Sequence, residues 1–202
     1  MESLEQRTKH FKFIYEQARR KIIVPEARAF ILYQFAQQVA TLAGDVAEVG
    51  VFAGGSAKII AEAFLLQNRT IHLFDTFDAG MPPINPQKDW VKEGILKSAI
   101  KNVREFLTKY NNIKLYKGIF PETGELIKDR QFCFVHIDVD IYKSTLDCCK
   151  FFYPRVIRSG VIIFDDYGHP RAPGVTKAID EFFRDKREYP IALPKQCFMV
   201  KL

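Results

Sequence analysis

Apolar and polar positions change period several times along the chain, and each change marks an element. From Leu4 to Arg20 the apolar residues recur every three to four positions, the spacing of an amphipathic helix. Pro25 suits the first turn of a second helix running to about Leu42, in which Phe30, Ile31, Tyr33, Phe35, Val39 and Leu42 keep the same period. Gly44 stops it. Short apolar runs follow and predict strands at about Val46–Val51, Ile71–Asp75, Ile113–Tyr116, Phe132–Asp138 and Val161–Asp165. Helical patterns fill most gaps: Ser56–Leu66, Val91–Lys109, a short piece near Glu122–Lys128, Lys143–Tyr153 and Val175–Arg187. Strands alternating with helices predict an α/β fold with a doubly wound, mostly parallel sheet. The tail YPIALPKQCFMVKL has no helix between its two strand candidates, Ile191–Leu193 and Cys197–Leu202. They predict a C-terminal antiparallel hairpin that brings the sheet to seven strands.

The segment Phe132–Tyr167 carries the densest chemistry. Two apolar runs each end in a pair of acids, Asp138 with Asp140 and Asp165 with Asp166, and a helical pattern lies between them. That is the strand–helix–strand unit of a parallel sheet, and ligands of such sheets bind outside the carboxyl ends of the strands. Neighbouring strand ends would bring these carboxylates to one point, where unpaired they repel and resist ionisation. A divalent cation with oxygen ligands holds such a set together. The alternative is that each acid caps a helix. Asp165 and Asp166 are consecutive, so both cannot face one side of a strand; the second belongs to the turn beyond it.

The first strand leads into a glycine turn, Glu48-Val49-Gly50-Val51-Phe52-Ala53-Gly54-Gly55-Ser56. Gly50 permits the sharp turn, and Gly54 and Gly55 let backbone come close to a ligand. The turn departs from GxGxxG because Phe52 stands at the middle glycine, where a side chain crowds a pyrophosphate. Asp75 ends the second strand, where an acid accepts the two ribose hydroxyls of a nucleoside. A nucleoside without a pyrophosphate, such as S-adenosylmethionine, suits this combination better than NAD. A bare strand-to-helix turn and a loop acid are the alternatives.

Composition adds limits. The 202 residues, 48% hydrophobic and 27% charged, suit one domain over 1–202, with 1–43 as an N-terminal helical extension. Cys133, Cys148, Cys149 and Cys197 lie in or beside apolar runs without zinc spacing, as expected of reduced cysteines in a cytoplasmic protein. No apolar run reaches membrane-spanning length, so no membrane partner is expected. The net charge of +6 is scattered apart from Arg19-Arg20-Lys21, and no nucleic-acid module accompanies it.

The motifs together resemble the macrocin O-methyltransferase family of class I S-adenosylmethionine-dependent enzymes. The resemblance is carried by GDVAEVGVFAGGSAKII at 44–60, LFDTFDAGMP at 73–82, HIDVDIYKSTLDCCKFFYPRVIRSGVIIFDDY at 136–167 and PGVTKAIDEF at 173–182. It implies a magnesium-dependent transfer of methyl to a hydroxyl of a small-molecule acceptor, usually a sugar of a glycosylated natural product. It also implies that Glu48, Gly50 and Ser56 line the methionine end of the cofactor and that Asp75 holds the ribose. Asp138, Asp165 and Asp166 would bind the metal, with Asp138 as base and Asp140 close by. The chain is shorter than typical members before Gly44, where the family builds acceptor and oligomer contacts, and Ala53 stands where an arginine is common; a homo-oligomer remains open.

Two other functions compete: a non-catalytic cofactor-binding or scaffold protein that kept the fold, and a Rossmann-type nucleotide-dependent oxidoreductase. The four acids count against the first, and Phe52 with the C-terminal hairpin against the second. Lys143 and His169 lie near the acids in sequence, as candidates for deprotonation or substrate contact or as solvated side chains. Phe77–Trp90, rich in turns and prolines, reads as a lid or as a packed surface loop, and Trp90 as a substrate platform or a core anchor.

Overall fold

A computed structural model of the chain describes residues 3–67, 69–85, 87, 89 and 91–202. Trp90 lies outside the described residues. Two helices open the chain, α1 (Leu4–Ala18) and α2 (Glu26–Val39). Ser3 starts α1 with a reciprocal capping box: its side chain accepts from the Gln6 N–H, and the Gln6 side chain accepts from the Ser3 N–H. There follow β1 (Asp45–Val49), α3 (Gly55–Ala63), β2 (Ile71–Asp75), α4 (Ile100–Phe106), β3 (Ile113–Lys117), β4 (Phe132–Ile137), α5 (Tyr142–Phe152), β5 (Val156–Asp165) and α6 (Pro173–Phe183). The hairpin β6 (Ile191–Leu193) and β7 (Gln196–Val200) closes the chain.

The strands form one seven-stranded sheet in the order β3-β2-β1-β4-β5-β7-β6. β1 to β5 run parallel, and β7 pairs antiparallel with both β5 and β6. The expected doubly wound sheet and antiparallel ending are both present. From β1 the chain steps outward to β2 and β3, then returns to β4 on the other side of β1. This reversal makes the gap between the β1 and β4 ends the switch point at which such sheets bind ligands.

Each face of the sheet has its own apolar layer. α5 and α6 bury Cys148, Phe152, Ile179 and Phe183 against Phe132, Ile162 and Phe164. α2 and α3 bury Leu32, Ala36, Ile60 and Phe64 against Val46, Phe134 and Ile163. α1 adds an outer layer through Phe11 and Ile14, which meet Tyr33 and Ile59. All four cysteines are buried and free. Among the described residues no helix is long and apolar enough to cross a membrane.

Two elements differ most from their expected extent, while α2, α3 and α6 each end three or four residues early, at Val39, Ala63 and Phe183. The helix expected over Val91–Lys109 is confined to Ile100–Phe106. Its first part is instead held by the preceding loop: Met81 and Ile95, Gly94 and Met81, and Ser98 and Phe77 pair through backbone hydrogen bonds. β5 begins five residues early, because Val156 pairs with Phe132 and Gly160 is absorbed into an irregular strand rather than breaking it.

Candidate active site

The ends of β1, β2 and β4 open into a cavity of about 1100 Å³, counting the solvent at its mouth. Gly50, Ser56, Asp75, Asp138, Asp140 and Asp166 line it, joining the glycine turn to the acids as expected. Gly50 has a positive φ, and a Cβ there would lie 1.8 Å from the Asp138 carbonyl oxygen. The turn can therefore pass the end of β4 only without a side chain. Gly55 answers a different need from the one expected. A Cβ on it would meet Lys21 and Ile22 at 2.6 Å, and its N–H donates to the Lys21 carbonyl at 3.1 Å. Gly54 faces Val103 and Phe106 of α4. Both glycines thus serve packing within the chain, and neither lines the cavity.

Asp75 organises the turn that faces it. Its Oδ2 accepts from the Val51 and Phe52 N–H groups at 2.8 Å each, and its Oδ1 accepts from the Phe77 N–H at 2.5 Å. Each oxygen is thus engaged by backbone, and Asp75 lines the cavity beside the turn it fixes. Gly118, Ile119 and Phe120, beyond β3, line the same side.

Glu48 does not line the cavity. It is fully buried in the sheet, on the same cross-strand row as His136 of β4. His136 Nδ1 lies 2.8 Å from Glu48 Oε1, and its Nε2 lies 3.4 Å from Asp165 Oδ2. Burial alone would lower the His136 pKa, but the hydrogen bonds to Asp165 and Glu48 outweigh it and raise it to about 10. A protonated imidazole therefore ties β1 to the end of β5. Glu48 Oε2 is buried without a partner.

The two acid pairs converge, with a division of roles that spacing does not reveal. Asp165 ends β5, is buried, and accepts from Gln196 Nε2 at 2.7 Å. Asp166 lies in the turn beyond, at φ 64°, and Asp140 also has positive φ, at 59°. Such left-handed backbone is tolerated by aspartate and recurs at functional sites. Asp138, Asp140 and Asp166 each offer an oxygen within 4.8 Å of the others, and a His136 ring nitrogen lies within the same distance of oxygens of Asp138 and Asp165, which are likewise near each other. Asp138 is thus common to both groups. Burial, then the charges of Asp165 and Asp140, push Asp138 well above the usual carboxylate range. Burial and Asp166 raise Asp140 to about 7. Several hard carboxylate oxygens gathered at one point are the donor set that a magnesium-like cation fits.

Arg28 of α2 also lines the cavity and donates to Asp166 Oδ1 at 3.0 Å. Neither Arg28 nor His136 stands out by spacing, although a histidine inside the apolar run FCFVHI is a polar group needing a buried partner. Lys143 pairs with Asp147 at 2.5 Å on an exposed helix face. His169 accepts at Nδ1 from the Arg171 N–H and lines a groove beside α6 that none of the four acids lines, although its backbone N–H donates to the Asp166 carbonyl. In the loop after β2, Met81, Pro82 and Leu96 line the cavity mouth, while Asp89 accepts from the Tyr142 N–H at 2.7 Å at the start of α5.

Comparison with known proteins gives a consistent context. The tetracenomycin-C rhamnosyl 4'-O-methyltransferase of Streptomyces olivaceus is 28% identical over 139 residues, covering 61% of this chain and 53% of that protein. Mycinamicin III 3''-O-methyltransferase of Micromonospora griseorubida is 27% identical over 160 residues, covering 71% of this chain and 61% of its own length. The chain therefore spans somewhat more than half the length of these curated relatives. Among solved structures, the O-methyltransferase NovP superposes with a TM-score of 0.75 at 22% identity, over 90% of this chain and 82% of NovP. CalS11, a calicheamicin methyltransferase, gives 0.76 at 17% identity, over 99% and 94%. Both share the fold of this chain. The macrocin-O-methyltransferase (TylF) family model matches residues 23–194, which include the glycine turn, Asp75 and all four acids, and the chain belongs to that family.

Proposed function

We propose that the chain binds S-adenosylmethionine in the switch-point cavity and transfers its methyl group to a hydroxyl of a small acceptor, a sugar of a glycosylated natural product. The observation that carries this is the junction, in one cavity, of the Gly50–Ser56 turn and Asp75 with Asp138, Asp140 and Asp166. The curated relatives are named for O-methylation of natural products, two of them at numbered sugar-type positions. An O-methyltransferase from Bacillus cereus that shares the fold, with a TM-score of 0.66, was solved with S-adenosylhomocysteine.

Asp75 accepts from the ribose hydroxyls while it fixes the Val51 and Phe52 N–H groups, so cofactor contact and turn shape depend on one carboxylate. Gly50 and Ser56 flank the methionine end. Glu48 acts there from behind, by fixing His136 rather than by touching the cofactor. A hydroxyl is a poor nucleophile at neutral pH, and a carboxylate within reach takes its proton. Asp138 and Asp140 are the groups placed for that, half-buried on the cavity floor. Asp138, Asp140 and Asp166 would hold a divalent cation, and Asp165, which the resemblance also implies as a ligand, comes within the same reach of Asp138 but in a separate group with His136. When bound, such a cation lowers the pKa of a coordinated hydroxyl and anchors it. The remaining work is alignment of oxygen, carbon and sulfur in a site shielded from water.

Calorimetric titration of the purified protein with S-adenosylhomocysteine and, separately, NAD tests the cofactor assignment. Saturable binding of the first and none of the second is expected. Binding of NAD alone would support an oxidoreductase, binding of S-adenosylhomocysteine without methyl transfer a cofactor-binding scaffold, and binding of neither a scaffold that kept only the fold.

A further inference from the structure

Arg28 differs from the other polar groups of the cavity because it comes from the N-terminal helices rather than from a strand end. It sits in the first turn of α2. The next residue, Ala29, is buried in the cluster of Phe11, Ile14 and Tyr33, so this turn is anchored. One guanidinium nitrogen, Nη1, donates to Asp166 Oδ1 at 3.0 Å and to the Lys195 carbonyl at 3.1 Å, and lies 3.6 Å from Asp165 Oδ1. The Asp166 N–H donates to the same Lys195 carbonyl at 3.0 Å. The arginine side chain is only 17% exposed. One cation thus joins α2, the end of β5 and the β6–β7 turn, facing a floor that carries Asp138, Asp140, Asp165 and Asp166. Among the described residues His136 is a second cation against these acids, bonded to Asp165 and shared with Glu48.

We propose that Arg28 is the resident counter-cation of the acidic floor, a positioning residue that keeps Asp165 and Asp166 convergent until a divalent cation takes over their charge. The proposal rests on the metal site described above and adds an antagonism to it. Arg28 and the divalent cation draw on the same carboxylates, so each weakens the hold of the other. Without the guanidinium the acids repel one another in a poorly solvated site. The metal-free protein then loses stability, and its affinity for a cation rises. Because Arg28 belongs to α2, arrival of the cation relaxes a tie between the N-terminal helices and the sheet.

The test compares the full-length wild type with Arg28→Met and Arg28→Lys, using Mn²⁺ as the probe. In EDTA, Arg28→Met is expected to melt roughly 5 °C below wild type. Saturating Mn²⁺ should remove most of that deficit. Calorimetry should show Mn²⁺ binding about tenfold tighter to Arg28→Met than to wild type. Arg28→Lys, which keeps a charge but not the planar fork, should lie nearer wild type in both measurements. An equal melting deficit with and without Mn²⁺ would reduce Arg28 to a structural tether and overturn the proposal, as would unchanged or weaker Mn²⁺ binding. If neither protein binds Mn²⁺, the metal site itself fails. The pairing role is then decided in EDTA by combining Arg28→Met with Asp166→Asn. Loss of the arginine penalty in the Asp166→Asn background sustains it, and additive penalties overturn it.

Discussion

A methyl group added at Gly50 would lie 1.8 Å from the Asp138 carbonyl oxygen, far inside contact distance. The clash is backbone against side chain, and no rotamer relieves it. Gly50→Ala is therefore expected to cost at least about 3 kcal/mol, read as a lowered denaturant midpoint, since it adds a steric conflict to positive-φ strain. A midpoint within error of wild type would show that the β1 and β4 ends separate readily. Asp75 gives a second residue-scale prediction. Asp75→Ala removes a charged acceptor from the ribose and also frees the Val51 and Phe52 N–H groups. Charge-assisted hydrogen bonds contribute about 1.5–3 kcal/mol, so S-adenosylhomocysteine affinity should fall roughly tenfold or more. Unchanged affinity in calorimetry, with the fold intact, would remove Asp75 from the cofactor site. Both positions stood out in the sequence as candidates, a glycine after one strand and an acid ending the next, a pattern that a bare turn and a loop acid also produce. Glu48 was legible as important but not in its orientation. Only the register that sets it opposite His136 shows that its carboxylate turns into the sheet. Arg28 was illegible, since nothing in its surrounding helix pattern shows that it reaches Asp166, distant in the chain.

At the scale of elements, periodicity found all seven strands of the described residues and misjudged two lengths most. Val91–Ala99 has helical spacing, yet its backbone partners are Met81 and Phe77, so tertiary pairing overrides propensity there. The apolar run beginning at Val161 set the expected start of β5, but the edge of β4 offers Val156 a partner and the strand continues through Gly160 with an irregularity. The C-terminal hairpin was visible because its short runs have no intervening helix, and the structure shows how its end is fastened. Glu188 accepts from Tyr153 at the end of α5 at 2.5 Å and from the Leu202 N–H at 3.3 Å, and pairs with Lys201 at 3.0 Å. Burial opposes ionisation of Glu188, but the hydrogen bonds from Tyr153 and Lys201 prevail and lower its pKa from 4.5 to about 2. A carboxylate depressed in the folded state binds its proton more readily when unfolded. Its contribution is therefore complete above about pH 4.5 and is lost as the pH falls toward 2. Glu188→Gln should lower stability at pH 7 by about 1–3 kcal/mol and flatten the decline of melting temperature between pH 4.5 and 2. A variant with the wild-type acid profile would show that the clamp contributes nothing.

Across the whole molecule, the cavity has a rigid side and a side built from excursions of the chain. Strand ends supply Gly50, Asp75 and Asp138, whereas Met81, Pro82 and Leu96 of the loop after β2, and Ile23 from the N-terminal segment, border the opening. The loop is joined to the acidic floor through Asp89, which accepts from the α5 N-terminus two residues beyond Asp140. Cofactor with acceptor is therefore expected to slow protease cleavage between Phe77 and Ser98, monitored by mass spectrometry of the fragments; identical cleavage with and without ligands would make this a packed surface loop. The acceptor itself was not legible, because the apolar rim and acidic floor suit many hydroxylated molecules that carry an apolar body. The most direct measurement of the central claim is methyl transfer from labelled S-adenosylmethionine to a defined sugar-bearing acceptor, in magnesium and in EDTA. Transfer in magnesium, its collapse in EDTA with S-adenosylhomocysteine binding largely retained, and the same pattern in Asp166→Asn are predicted. Full activity in EDTA would contradict a metal-assisted mechanism and leave Asp138 or Asp140 as a metal-free base.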